Sequence, residues 1–168
     1  MAKGNKIIVS AEPKGRFLEG YISGTPKPGT VVELKWTTAI KGGRWTWEAA
    51  VTTAATGANH GMAANGDRLP ITILVNDELR GKLITDAYVD GDRCFLYQPA
   101  IGEEVNVLVA NLAGTADDHT IGEKMMVEDG TGKMLVSVGA IEAEPFVLLE
   151  NITDPVADTL AWAYFTGY

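Results

Sequence analysis

The sequence predicts an all-β domain. Apolar and polar residues alternate with a period of two in about ten short segments. Turn-forming residues stand between those segments, and no stretch gathers its apolar residues into a helical stripe.

In order, the segments are 31–36, 44–51, 71–75, 82–88, 94–97, 104–109, 124–128, 133–138, 146–150 and 159–165. The breaks between them include "KPG", "KGG", "NGD", "VDGD", "DGTG" and "TDP", in which Gly, Pro, Asp and Asn supply the backbone angles of tight turns. Residues 48–58 are the one stretch open to a helical interpretation. They are rich in Thr and Ala, run up to Gly57 and form no apolar stripe, so a strand running into a loop is expected. The clearest local unit is "EKMMVEDGTGKMLVSV", two apolar runs around a glycine-bearing turn, which predicts a β-hairpin. A phosphate loop is not expected there, because the P-loop spacing of glycines is missing and a strand follows where a helix should begin. "IGEEVNVLV" and "IGEKMMVED" share an Ile-Gly-Glu start twenty residues apart. They are either a duplicated hairpin or two strands of one barrel that begin alike. Many short strands at regular spacing fit a single-domain β-sandwich, a jelly roll or a small barrel, and alternation does not choose among them.

Residues 1–30 are expected to form an extended N-terminal arm and residues 31–168 the β-domain. The first thirty residues hold five glycines and three prolines around short apolar patches. Ile7, Ile8, Val9, Phe17, Leu18 and Tyr21 are too apolar for a solvated tail, so an arm bearing them requires a partner. "GYISGTPKPGTVVELK" would then be the joint where the arm enters the scaffold, its prolines limiting the arm's freedom. The alternative is that residues 6–10 pair with the domain's own sheet. Aromatic residues concentrate in "KWTTAIKGGRWTW", which holds Trp45 and Trp47, and in "LAWAYFTGY". In the latter, Leu160, Trp162 and Tyr164 share one strand face while Ala161 and Ala163 share the other. Ordinary core packing turns the bulky face inward; an outward bulky face would mark an intersubunit contact.

The 168 residues, 46% hydrophobic, suit one domain with a sizeable core. No apolar run reaches about 18 residues, and "MAKGNK" leads into no signal core, so neither a membrane span nor a secretory signal is expected. Fourteen basic against twenty-two acidic residues give a net charge of −8, a field that repels phosphate backbones and makes nucleic acid an unexpected partner. Cys94 is the single cysteine, which excludes an internal disulfide or cysteine metal cluster; it is expected to be a small buried hydrophobe.

Chemical constellations are not apparent. His60 and His119 lie far apart without a second ligand at zinc spacing, and each is expected to be solvated. Asp86, Asp90 and Asp92 in "DAYVDGD" lack the closing glutamate of a calcium loop and are expected to be exposed turn acids. Asp117 and Asp118 precede His119, but no nucleophile elbow accompanies them. No catalytic residue, metal or cofactor is therefore expected.

Three blocks in one order, "KIIVSAEPKGRFLEGYISGTPKPGTVVELK", "DAYVDGDRCFLYQPAIGEEVNVLVANLAGTADDHTIGEKMMVEDGTGKML" and "EPFVLLENITDPVADTLAWAYFTGY", resemble the small capsid decoration, or cement, proteins of tailed bacteriophages. The likeness spans most of the chain and is least over residues 37–68. It implies a non-enzymatic structural protein, made in the host cytoplasm, that binds the outer surface of the virion head. Such proteins commonly sit as homotrimers bridging neighbouring major capsid protein subunits. On that basis Ile7, Ile8, Val9, Phe17, Leu18, Tyr21, Trp45, Trp47, Trp162 and Tyr164 are candidate capsid or intersubunit contacts. The other function considered is a carbohydrate-binding or adhesin-like β-sandwich on the virion surface, with Trp45, Trp47 and Tyr88 stacking on sugar rings.

Overall fold

A computed structural model of the chain describes residues 6–37, 46–51, 70–78, 81, 83–110, 118–128, 130–136, 144–153 and 157–167. Ten strands appear among them: β1 (Arg16–Ser23), β2 (Val32–Thr37), β3 (Thr46–Val51), β4 (Ile73–Val75), β5 (Arg93–Gln98), β6 (Glu104–Val109), β7 (Lys124–Val127), β8 (Met134–Val136), β9 (Phe146–Leu148) and β10 (Thr159–Phe165). The fold is all-β, as the alternation predicts. Five strands form an open sheet in the order β2-β3-β1-β5-β4, and the other five close into a small barrel in the order β10-β6-β8-β7-β9. Most neighbours are antiparallel; β1 with β3 and β6 with β8 are parallel.

The open sheet and the barrel share one core. Ile71, Ile73 and Tyr97 of the sheet pack in the same buried cluster as Val105, Val107, Met125, Phe146 and Ala163 of the barrel. The opposite face of the sheet forms a second cluster around Ile22, Val32, Leu74, Tyr88, Cys94 and Leu96. Alternate residues of β4 and β5 therefore serve different clusters, as the pleat requires.

An arm over residues 1–30 is not what the described residues form. β1 is the central strand of the open sheet, in register with β5 from Arg16↔Gln98 to Tyr21↔Arg93 and with β3 from Gly20↔Trp47 to Ser23↔Ala50. Ile7 is fully buried in the barrel core, and its carbonyl accepts the Asn106 N–H at 2.7 Å. Ile8 bridges Val105, and the Val9 N–H donates to the Glu104 carbonyl at 3.0 Å. The physical reason lies in β6. One of its edges pairs with β10, while the other shares its donors among three segments: Asn106 N–H to Ile7, Leu108 N–H to Gly29 and Ala110 N–H to Met134. Residues 6–10 and the proline-rich joint thus satisfy backbone groups that would otherwise be unpaired in the core.

Of residues 82–88, expected as a strand, the described residues 83–88 turn instead. The Asp86 N–H donates to the Leu83 carbonyl at 3.1 Å, and the Asp86 carboxylate takes the Leu83 N–H at 2.9 Å. Tyr88 then plugs the second cluster, its hydroxyl donating to the Val75 carbonyl at 2.7 Å.

The β10 faces are the reverse of ordinary expectation. Ala161, Ala163 and Phe165 line the barrel core, Trp162 and Tyr164 are on the outer face, and Leu160 is covered by the Gly29 segment and packs against the core. A five-stranded barrel has little interior width. Phe146, Leu148, Met125 and Met134 already fill it, and Phe146 meets Phe165 with ring centroids 5.3 Å apart. Beside Leu148, the register partner of Ala163, only a small side chain fits.

The two Ile-Gly-Glu stretches begin two strands of one barrel in the same way. Each forms a turn closed from Glu N–H to the carbonyl three residues back, at 3.1 Å for Glu103 and 3.2 Å for Glu123, with the glycine at φ 94° and 93°. Each glycine N–H donates to a neighbouring strand, Gly102 to Phe165 and Gly122 to Leu148, both at 2.9 Å. The β7–β8 hairpin is also present, and its turn reaches across to the open sheet, where the Gly132 carbonyl accepts the Val31 N–H at 2.8 Å. Gly132 has φ 68°, and a Cβ there would overlap the Val31 carbonyl oxygen. Gly132→Ala is expected to cost about 2–3 kcal/mol, from the left-handed angle and the displaced contact together. Urea unfolding with an unchanged midpoint would show that this approach is not rigid.

Candidate functional site

The best candidate site is built on the outer face of β10. Trp162 and Tyr164 are two residues apart on one strand and so project to the same side. Tyr164 stands opposite Glu104 of β6 and Val147 of β9. Its hydroxyl reaches the turn before β6, within 3.4 Å of where a Cβ on Gly102 would lie. Ile101, at the outer position of that turn, lies over Gly167 just beyond β10. On this face Tyr164 is 38% and the nearby Ile101 74% exposed, Trp162 and Val147 are half-buried, and Glu104 and Lys124 stand beside them.

Two carboxylates hold Trp162 in place, one through its ring and one through its backbone. Trp162 Nε1–H donates to Glu104 Oε2 at 3.1 Å, and the Trp162 backbone N–H donates to Glu150 Oε1 at 2.7 Å. The aromatic ring is therefore both presented and fixed, which reduces the entropy lost when a partner covers it.

Beneath this surface lies a buried carboxylate. Glu103, 4% exposed, accepts the Tyr97 hydroxyl at 2.6 Å, the Ala100 N–H at 2.6 Å, the Gly15 N–H at 3.3 Å and the Lys14 N–H. Burial pushes its pKa up, but the bonds from Tyr97 and from the three backbone N–H groups outweigh that and leave it below the ordinary carboxylate value. The same burial, with the bond to Glu103, raises the Tyr97 phenol. Every partner here is structural, and the group acts as a clasp between the N-terminal segment, β5 and the turn into β6.

The other predicted contact residues are dispersed. Ile7 is buried in the barrel core, and Ile8 and Val9 are half-buried alongside β6, so these three are occupied within the chain. Leu18 packs against the second cluster. Phe17 is 56% exposed, with its ring 4.9 Å from that of Tyr97, and Tyr21 is half-buried on the same face of β1. Trp45 lies outside the described residues. Trp47 is placed by its backbone register, across from Gly20 of β1 and Trp36 of β2.

Tyr88, a proposed sugar-stacking residue, is 1% exposed and cannot offer its ring to a ligand. His119 is not solvated: it is buried, bridged to Ile152, with Nδ1 3.6 Å from Glu123 Oε2. His60 and Asp117 lie outside the described residues. Asp86, Asp90 and Asp92 each bind a backbone N–H, of Leu83, Gly24 and Val89 respectively, and so serve as turn staples. Cys94 is buried as expected, and burial pushes its thiol up to about 12, so it is not a nucleophile near neutral pH. Ile101 and Val147 were absent from the predicted contacts. The signal for Ile101 was available, because a β-branched residue beside Gly102 in a polar turn serves no turn geometry.

No protein-family model matches the chain, and no curated protein matches it.

Proposed function

We propose that the chain is a structural virion protein of the capsid decoration kind, non-enzymatic, binding the outer surface of a phage head and bridging neighbouring major capsid protein subunits. The observation that carries this proposal is the outward aromatic face of β10. A barrel strand that turns Ala161 and Ala163 inward and holds Trp162 and Tyr164 on its outer face presents aromatic side chains away from the core. Aromatic side chains are enriched at sites of protein contact. The resemblance of the three sequence blocks to cement proteins supplies the class of partner.

A cement protein stabilises a shell by adding contact area across junctions that open under the outward stress of packaged DNA. Specific contacts bury on the order of 1,600 Å² in total. A homotrimer at a three-fold position touches several shell subunits at once, and each further contact is then intramolecular. The net charge of −8 suits the exterior of the head, away from nucleic acid.

The test is add-back. Purified protein is mixed with heads of the encoding phage that lack it, and bound copies are counted after sedimentation. Saturable binding in multiples of three per three-fold position, with raised resistance of the heads to heat, is the expected result. Absence of saturable binding would reject the proposal.

A further inference from the structure

We propose that residues 6–15 form a strap that acid releases from the barrel, with Glu103 as its latch. This goes beyond the decoration function and does not depend on it. The strap is held at two places. Upstream, residues 6–10 lie along β6. The Ile7 carbonyl accepts the Asn106 N–H at 2.7 Å and the Lys6 carbonyl the Asn106 side-chain amide at 2.5 Å. The Glu104 carbonyl accepts the N–H groups of Val9 and Ser10, and the Ser10 hydroxyl accepts the Glu104 N–H at 2.9 Å. Downstream, the Lys14 and Gly15 N–H groups donate to Glu103 Oε1. Between these anchors Ala11, Glu12, Pro13 and Lys14 are exposed, and Ile7 is the only buried side chain of the ten. A segment with so little buried surface belongs to the low-stability end of a fold, where local opening precedes global unfolding.

The latch responds to protons because every group that faces it is a donor. Oε1 takes Lys14 and Gly15, while Oε2 takes the Tyr97 hydroxyl and the Ala100 N–H, both at 2.6 Å. No charged side chain bonds Glu103 among the described residues, and the Lys14 side chain is exposed. Tyr97, whose phenol burial raises, stays protonated throughout the acid range. A carboxyl proton on either oxygen therefore meets a donor. If the Tyr97 hydroxyl turned to accept it, its own proton would lose its acceptor. The turn before β6 has further ties, from Glu103 N–H to the Ala100 carbonyl and from Gly102 N–H to Phe165, so the loosening falls on the strap. The pKa of Glu103 lies below the ordinary carboxylate value; the hold is complete above the unfolded-state value and is lost as pH falls through the folded one.

Hydrogen exchange read by mass spectrometry tests this on the purified wild type, Glu103→Gln and Glu123→Gln, from neutral pH to about pH 3, with intrinsic rates divided out. Wild-type peptides covering residues 6–15 are expected to lose protection about tenfold in acid while β5 and β10 keep theirs. Glu103→Gln removes the titration, so its strap is expected to be less protected than the wild type's at neutral pH and to stay unchanged on acidification. Glu123 closes the matching turn before β7 and bonds Thr120 instead of the strap, so Glu123→Gln is expected to follow the wild type. Strap protection that is independent of pH in the wild type overturns the proposal, and so does loss of the strap together with β5 and β10, which is global acid unfolding. An acid response that persists in Glu103→Gln, or that Glu123→Gln abolishes equally, overturns Glu103 as the latch. If Glu103→Gln does not fold, the order of loss in the wild type decides: strap first supports the latch, and simultaneous loss overturns it.

Discussion

A chain that begins at Gly24 is expected to lose cooperative unfolding altogether. Such a deletion removes the central strand of the open sheet and leaves facing edges of β3 and β5 with no partner between them. It also removes Ile7 and Ile22, both buried, at about 1.5–3 kcal/mol of lost burial each. The Lys14 and Gly15 donors that hold Glu103 go as well. Against a total stability of about 5–15 kcal/mol for a single domain, these losses are of the same size as the whole. Two exposed strand edges would in addition favour aggregation. The check is thermal unfolding of the truncated chain, followed by tryptophan fluorescence and circular dichroism. A sharp transition within a few degrees of the full-length melting temperature would restore a separable arm.

The reason β1 escaped sequence reasoning is specific. Its alternation is real, with Leu18, Gly20 and Ile22 on one face, but Gly15, Gly20 and Gly24 punctuate it as turns would. Gly15 is there for another purpose: a side chain would collide with the Gln98 carbonyl and the Tyr97 ring. A glycine required for close approach looks, in a sequence, like one required for a turn. By contrast, β6 and β10 coincide with the predicted 104–109 and 159–165, because both alternate without interruption between strong turn residues.

The candidate surface was half legible. Alternation put Trp162 and Tyr164 together but could not say which face of β10 points inward. That depends on the volume contributed by strands far away in the chain, chiefly Phe146, Leu148 and Met134, which favours alanine at positions 161 and 163 while Phe165 packs on Phe146. The β7–β8 hairpin was fully legible, since its signal is local. The buried carboxylate of Glu103 was not. Its nearest signature is an acid at the last position of a four-residue turn, where its side chain reaches back to the first residue's N–H. The same arrangement recurs at Leu83 with Asp86 and at Val89 with Asp92.

Replacing Glu103 by Ala is expected to cost about 3–5 kcal/mol, since each buried donor left without its acceptor costs about 1–3 kcal/mol and the partly exposed ones less. Four donors lose their acceptor at once: the Tyr97 hydroxyl and the N–H groups of Lys14, Gly15 and Ala100. The Glu103 backbone also carries the join to β10, since its carbonyl accepts the Phe165 N–H at 2.9 Å, so a shift there propagates into the barrel and the outer face of β10. Glu103→Gln is the more informative variant. It keeps one acceptor, turns an NH₂ group toward donors and removes the titration. Because the folded pKa lies below the ordinary 4.5, the ionised form is the one that folding favours. Its contribution is fully present above the unfolded-state pKa and is lost as pH falls through the folded one. Wild type and Glu103→Gln should therefore differ most at neutral pH, and their stabilities should converge in acid, below about pH 4.5. Urea midpoints measured from pH 7 downward decide it: a constant gap between the two proteins at every pH would mean that the carboxylate's charge contributes nothing and that shape alone holds the clasp.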